Sequence, residues 1–248
     1  MKPFQTIDLM GTEISRLTTG DFIDYVSGAA RERKKTFITY LNAHCSNIAE
    51  GDIEYKNILN RADIVYADGQ AIVWGARFLG TPLPERVNAG DFWVEFCERC
   101  AQQGLSLYLL GSYPQVAETI KNQIQSRMPS VKIAGVHHGF FTPEEESKVI
   151  DNINTSGADI VLVGMSVPLQ EKWVEAHRDE IQAPVIWCVG ALFEYYAGHR
   201  RRAPQWMRKC GLEWVFRLAL EPRRLWRRYI IGNPLFLYRL VRFKMKKK

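Results

Sequence analysis

Between residues 37 and 190 the chain alternates short, nearly unbroken apolar runs, six in all, with longer segments of helical character. The runs are Phe37–Asn42, Ile64–Asp68, Leu105–Gly111, Val131–Val136, Asp159–Ser166 and Val185–Gly190, each rich in Val, Ile, Leu or Tyr. A strand with one wet face alternates apolar and polar residues. Unbroken apolarity belongs to strands covered on both faces, as in parallel sheets. Helical segments fill the intervals at Asp52–Arg61, Gln70–Leu79, Asp91–Gln103, Pro114–Arg127, Pro143–Asn154 and Leu169–Glu180. Thr142-Pro143-Glu144-Glu145 has the form of a helix start: a cap residue, proline at the first position, then acids at the positive end of the dipole. The pattern predicts an α/β fold, with a Rossmann-like open, mostly parallel sheet and helices on both faces.

Residues 199–248 are different. They hold 16 of the chain's 33 Lys and Arg but only Glu213 and Glu221 of its 27 acids. Residues 1–198 therefore form a mildly acidic α/β body, and residues 199–248 a basic, aromatic appendage that favours a polyanionic partner. Helical signals continue in it, interrupted by Pro204, Pro222 and Pro234, which suggests two or three short helices. Trp206, Trp214, Trp226, Tyr229, Phe236 and Tyr238 interleave with the bases, as in segments that lie on an anionic membrane. The same aromatics also suit packing on the body. No run of about 18 apolar residues is present, so no spanning helix is expected. The N-terminal segment MKPFQTIDLMGTEIS lacks a long apolar stretch, so no secretory signal is expected. Cys45, Cys97, Cys100, Cys188 and Cys210 are odd in number and scattered, as reduced thiols in a cytoplasm would be. Cys97 and Cys100 form a lone CxxC, and His44, His137 and His138 lack the matching spacing, so no metal site is expected.

In open parallel sheets ligands bind beyond the carboxyl ends of the strands. Here those ends read Asn42-Ala43-His44, Asp68-Gly69, Gly111-Ser112, His137-His138-Gly139, Gly164-Met165-Ser166 and Gly190. Glycines such as Gly69, Gly111, Gly164 and Gly190 let a ligand approach the backbone, and the helix N-termini that follow offer N–H groups to phosphate. No P-loop and no GxGxxG follows any strand. Asp68 has two readings, an N-cap for the next helix or a general base at the sheet edge. Arg86 pairs with Glu85 or clamps a phosphate. Gln170 and Glu171 either cap a helix or hydrogen-bond a sugar or base.

These segments, in this order, resemble the WecG/TagA/CpsF family of bacterial glycosyltransferases. The resemblance runs through Leu41-Asn42-Ala43-His44, the stretch Ala62 to Gly69, Leu79-Gly80-Thr81-Pro82-Leu83-Pro84-Glu85-Arg86-Val87, and Gly164 through Pro168-Leu169-Gln170-Glu171. It continues in the appendage with Arg202-Ala203-Pro204-Gln205-Trp206-Met207, Gly211-Leu212-Glu213-Trp214, and Glu221-Pro222-Arg223-Arg224-Leu225-Trp226-Arg227-Arg228. It implies an inverting, metal-independent transferase needing no cofactor. Such an enzyme moves a hexose from a UDP-sugar to a polyprenyl-diphosphate-linked saccharide on the inner face of the cytoplasmic membrane, in cell-surface polysaccharide synthesis. The sugar is N-acetylmannosamine, its uronate, or of glucose type. The general base of the family falls on Asp68, its arginine on Arg86, its glutamine on Gln170 and its strand-end asparagine on Asn42. Arg217, Arg224 and Arg227 match tail arginines that close over the diphosphate. The family's Thr-x-Asn is stretched here to Thr39-Tyr40-Leu41-Asn42. Its glycine-rich GVGGxFD element reads Cys188-Val189-Gly190-Ala191-Leu192-Phe193-Glu194, a change that bears on donor choice.

The physics agrees with that expectation. A base is worth about 10²–10⁴ in rate. Without a metal, arginines and helix N-termini must meet the charge on the leaving diphosphate. Arg217, Arg224 and Arg227 are spaced to share one helical face if Pro222 leaves the helix whole. Two other classes compete. A nucleic-acid module would use the tail but leave the strand-end motifs idle, so no nucleic-acid partner is expected. A non-catalytic peripheral membrane scaffold with a degenerate pocket is the alternative. Oligomeric state is left open, a homo-oligomer that rearranges as the tail docks being one arrangement.

Overall fold

A computed structural model describes residues 2–247. Its centre is a six-stranded parallel sheet in the order β4-β3-β8-β7-β5-β6. The strands are β3 (Thr36–Leu41), β4 (Ile64–Ala67), β5 (Ser106–Gly111), β6 (Lys132–His137), β7 (Ile160–Gly164) and β8 (Val185–Cys188). They match the six apolar runs, and all of β3, β4, β7 and β8 is buried. A two-stranded antiparallel hairpin, β1 (Thr6–Leu9) and β2 (Thr12–Ser15), precedes them. Val65 N donates to Ser15 Oγ, so the hairpin lies along the exposed edge of β4.

Helices of the body are α1 (Thr19–Arg31), α2 (Ala43–Ala49), α3 (Ile53–Arg61), α4 (Gln70–Phe78), α5 (Ala89–Gln103), α6 (Pro114–Arg127), α7 (Glu146–Ser156), α8 (Leu169–His177) and α9 (Leu192–Tyr196). Their placement follows strand alternation. Trp187 on β8 points to one face and meets Phe22 of α1 and Phe96 of α5 at ring separations of 4.8 and 5.1 Å. The next residue, Cys188, points to the other face, toward α8. Helices therefore cover both faces. The expected start at Thr142 is a capping box with Glu145, but its first turn is a 3₁₀ turn at Pro143–Glu145 that leads into α7. The five cysteines are free thiols.

The appendage comprises α10 (Gln205–Lys209), α11 (Glu213–Leu220), α12 (Pro222–Trp226) and α13 (Gly232–Lys246), with a π-turn at Arg227–Ile231 joining the last two. Two expectations change here. Pro222 does break the helix: Glu221 leaves helical dihedrals and Pro222 opens α12 at its first position, so Arg217 and Arg224 lie on separate helices. Pro234 breaks nothing. It stands in the first turn of α13, directly after the π-turn, where a missing N–H costs little.

The appendage packs on the body through α13. Phe236 and Leu240 are buried, and Leu240 Cδ2 comes so close to Gly75 of α4 that a β-carbon there would lie 3.3 Å from it. Asn47 of α2 donates to Gly232 O at 2.7 Å and accepts from Arg239 Nη1 at 3.0 Å. The opposite stripe of α13 carries Leu237, Tyr238, Val241 and Met245, all exposed. Among the described residues no helix is long and apolar enough to cross a membrane.

Candidate active site

A cavity of about 510 Å³ opens at the carboxyl edge of the sheet, roofed by the appendage. Glycines at the strand ends bring backbone to it or close beside it. Gly111 ends β5 with φ +138°, and a β-carbon there would sit 2.3 Å from Gly164 O at the end of β7. Gly190 follows β8 with φ +58°, and a β-carbon there would sit 2.3 Å from the Tyr40 hydroxyl. Only glycine satisfies both the dihedral and the space.

Asp68 lies on one side of this cavity. It does not cap α4; Gly69 takes that position without a side-chain bond. Its Oδ1 accepts from Asn88 Nδ2 at 2.7 Å and its Oδ2 from Asn42 Nδ2 at 3.4 Å. Asn42 is itself fixed, its Oδ1 capping α2 through the His44 and Cys45 amides at 3.0 and 3.1 Å. Burial pushes the Asp68 carboxyl above its ordinary range, opposed by the charge of Arg86 and by the Asn42 hydrogen bond. A carboxylate moved toward neutrality is better matched to proton abstraction at cellular pH.

The roof supplies positive charge. Arg200, Arg202, Arg217, Arg224 and Arg228 all line the cavity. Arg200 pairs with Glu194 and Arg224 with Glu221. Arg202 is held by Asn88 Oδ1 at 3.1 Å and Asp91 at 2.9 Å. Among the described residues Arg217 and Arg228 form no ion pair, and the buried Nε of each lacks a hydrogen-bond partner. Arg217 stacks over the Tyr195 ring at 5.4 Å. Two unneutralised guanidinium groups beside a cavity are suited to an anion with several acceptor oxygens. They also act on His44, whose pKa falls to about 4, chiefly through burial and then through Arg228 and Arg217.

The sequence-derived candidates thus divide into groups. Asn42, Asp68, Gly164, Gly190, Arg217 and Arg224 line the cavity. Gly69 and Gly111 are outside the lining, each next to a residue within it, Asp68 and Ser112. Thr39, Gln170 and Glu171 are wholly buried beneath it. Arg86 lies outside the lining, in ion pairs with Asp91 and with Glu213 at 3.4 Å, while Glu85 instead accepts from Thr19 N at 2.6 Å. Arg227 is turned to solvent over the Trp226 ring, and Arg228 takes the place facing the cavity. Arg202, Arg228 and His44, which fall within the segments quoted above but carry no assigned role there, and Asn88, which falls in none, also line the cavity. Asn88 did carry a signal, as an asparagine at the mouth of a helix. Among the described residues no group of three or more His, Cys, Asp or Glu is placed to hold a metal ion.

A parallel α/β sheet whose carboxyl edge brings a buried carboxylate together with guanidinium groups is an arrangement suited to group transfer. Comparison of the whole chain narrows the class: the protein belongs to the glycosyl transferase WecG/TagA/CpsF family, whose model matches residues 7–248. It is accordingly a glycosyltransferase. Among its relatives are N-acetylglucosaminyldiphosphoundecaprenol N-acetyl-beta-D-mannosaminyltransferases of Staphylococcus aureus strains NCTC 8325 / PS 47 and COL. Each is 28% identical over 244 residues, spanning 98% of this chain and 94% of the relative.

Proposed function

We propose that the protein transfers a hexose, of the N-acetylmannosamine type named for its relatives, from a UDP-sugar to a saccharide on a polyprenyl diphosphate, with inversion and without a metal. The observation that carries this reading is the placement of Asp68 in a cavity that also holds Arg217 and Arg228. Asp68 takes the proton of the acceptor hydroxyl. The oxygen attacks the anomeric carbon as the bond to the donor's phosphate oxygen breaks on the far side, and the electron pair leaves on UDP. One displacement inverts the anomeric centre. Arg217, Arg224 and Arg228 meet the charge that builds on the diphosphate, where fixed charge is most effective. Arg86 holds Glu213, and so the start of α11, rather than reaching into the cavity.

The appendage fits a lipid-linked acceptor. Its outward stripe of Leu237, Tyr238, Val241 and Met245, flanked by Arg242 and Lys246, has the make-up of an interfacial helix. Against anionic lipid each basic residue near the surface adds about 1 kcal/mol. This supports peripheral attachment to the inner face of the cytoplasmic membrane.

The test is UDP release in EDTA, with a panel of UDP-sugars and a short-chain polyprenyl-diphosphate-linked N-acetylglucosamine. Turnover with one donor is expected. A protein that neither turns over any donor nor binds UDP would be the scaffold instead.

A further inference from the structure

Gln170 and Glu171 are consecutive residues in the first turn of α8, and both are fully buried. Neither lines the cavity, so neither touches a substrate there. They are linked to it through hydrogen bonds. Thr39 Oγ1 and Gln170 Nε2 both donate to Glu171 Oε1, at 3.0 and 2.7 Å. Gln170 Oε1 in turn accepts from Gly190 N at 3.1 Å. Val189, Gly190 and Ala191 form part of the cavity wall.

A buried amide side chain has two nearly isosteric orientations that exchange its oxygen and nitrogen. An ionised carboxylate can only accept, so it compels Gln170 to turn its NH₂ inward and its carbonyl toward Gly190. We infer that Glu171 is a positioning residue: from beneath the cavity it fixes the Gln170 amide, which holds the Val189–Ala191 wall in the shape that receives the donor nucleotide. This inference rests on the transferase reading above.

The surroundings of Glu171 argue against a purely structural carboxylate. Facing it are Tyr40 from β3, Cys45 from α2, Tyr55 from α3 and Cys188 from β8, all pushed up by burial and therefore neutral at pH 7. No basic group faces it, and its Oε2 has no partner among the described residues. A buried carboxylate without a counter-charge carries a desolvation cost that its two hydrogen bonds offset only in part. Burial accordingly raises the Glu171 carboxyl to about 7.

The experiment compares wild type, Glu171→Leu and Glu171→Gln in the full chain, reading UDP affinity by calorimetry and the melting temperature of each. At pH 8, Glu171→Leu is expected to weaken UDP binding about tenfold or more while the protein stays folded at the assay temperature, its melting temperature lowered only by the unpaired Thr39 and Gln170 donors. Glu171→Gln keeps an acceptor for Gln170 and is expected to stay within about threefold of wild type. Between pH 8 and 6 the wild-type affinity should fall relative to Glu171→Gln, because the protonated carboxyl loses charge assistance. Ionisation of UDP itself is common to both proteins and cancels in that ratio. Wild-type affinity in Glu171→Leu overturns the inference, as does weakening in both variants in step with lower melting temperatures. A wild-type protein that binds no UDP overturns the transferase reading itself, so the two failures are told apart.

Discussion

Asn88 Nδ2 donates to Asp68 Oδ1 across 2.7 Å, and the other end of the same amide accepts from Arg202 of the appendage at 3.1 Å. The appendage is therefore coupled to the proposed base through one asparagine. Replacing Asp68 by Asn removes the base while keeping the shape. The rate of transfer should fall by about 10²–10⁴, with UDP affinity within about threefold of wild type. Single-turnover kinetics with calorimetry checks this, and a variant that keeps its rate would refute the role of Asp68.

Asn88→Ala tests the coupling itself. A donated hydrogen bond favours the ionised form, so its loss should raise the Asp68 pKa further. The acidic limb of the pH–rate profile should move to higher pH, with the maximal rate reduced less than in Asp68→Asn. An unmoved limb would mean that Asn88 does not tune Asp68.

Asp91 fastens the appendage to α5, accepting from Arg86, Arg202 and Arg208. Because these groups are partly solvated, each pair contributes at most about 1 kcal/mol. Asp91→Asn should lower Tm by a few degrees, roughly 2–4 °C per kcal/mol lost. Trypsin should cut the 199–248 segment faster. Cleavage at the wild-type rate would show that the apolar packing of Phe236 and Leu240 suffices alone.

The outward stripe of α13 can be tested without disturbing the fold. Leu237→Ser, Val241→Ser and Met245→Ser combined should reduce co-sedimentation with anionic phosphatidylglycerol vesicles by about tenfold or more, since each side chain buries apolar surface in the interface. Raising salt should weaken what remains. Undiminished binding by the triple variant would place the membrane contact elsewhere.

His44 should remain neutral down to a pH of about 4 in the folded protein. Its unfolded pKa is higher, so the unfolded chain binds more protons between those values. The resulting stability is present above about pH 6.5 and is lost as pH falls toward 4, on the order of 2 kcal/mol. Comparing denaturant unfolding of wild type and His44→Gln across that window isolates it. Bound UDP should raise the His44 pKa by offsetting Arg228 and Arg217, which NMR titration would read.

The parallel sheet was legible because burial on both faces leaves an unbroken apolar signature, and every one of the six runs became a strand. The hairpin was not. Its strands have four residues each, and its turn uses Met10 at φ +56° before Gly11 at φ +79°, so the usual Asn-Gly signal is missing. Asp68 directly precedes the cap position, which Gly69 takes, and its contacts with Asn42 and Asn88 are tertiary ones that no local pattern displays. In the appendage, Arg227 and Arg228 are adjacent, and choosing the one that faces the cavity needs the helical phase. A π-turn changes that phase locally, and no residue pattern announced it. The aromatics divided similarly: Phe236 and Tyr229 pack inward, while Trp206, Trp226 and Tyr238 face solvent.

Gly164 and Gly190 give the cavity stretches of wall without side chains. Such a wall offers mutation nothing to trim: a β-carbon at Gly164 would lie 2.7 Å from the Phe193 ring. Variation in the lining is left to side chains such as Tyr113, Phe140, Met165 and Ala191. Those side chains can be exchanged while the sheet stays still. The cavity thus joins stretches of fixed backbone to side chains that can be exchanged around them.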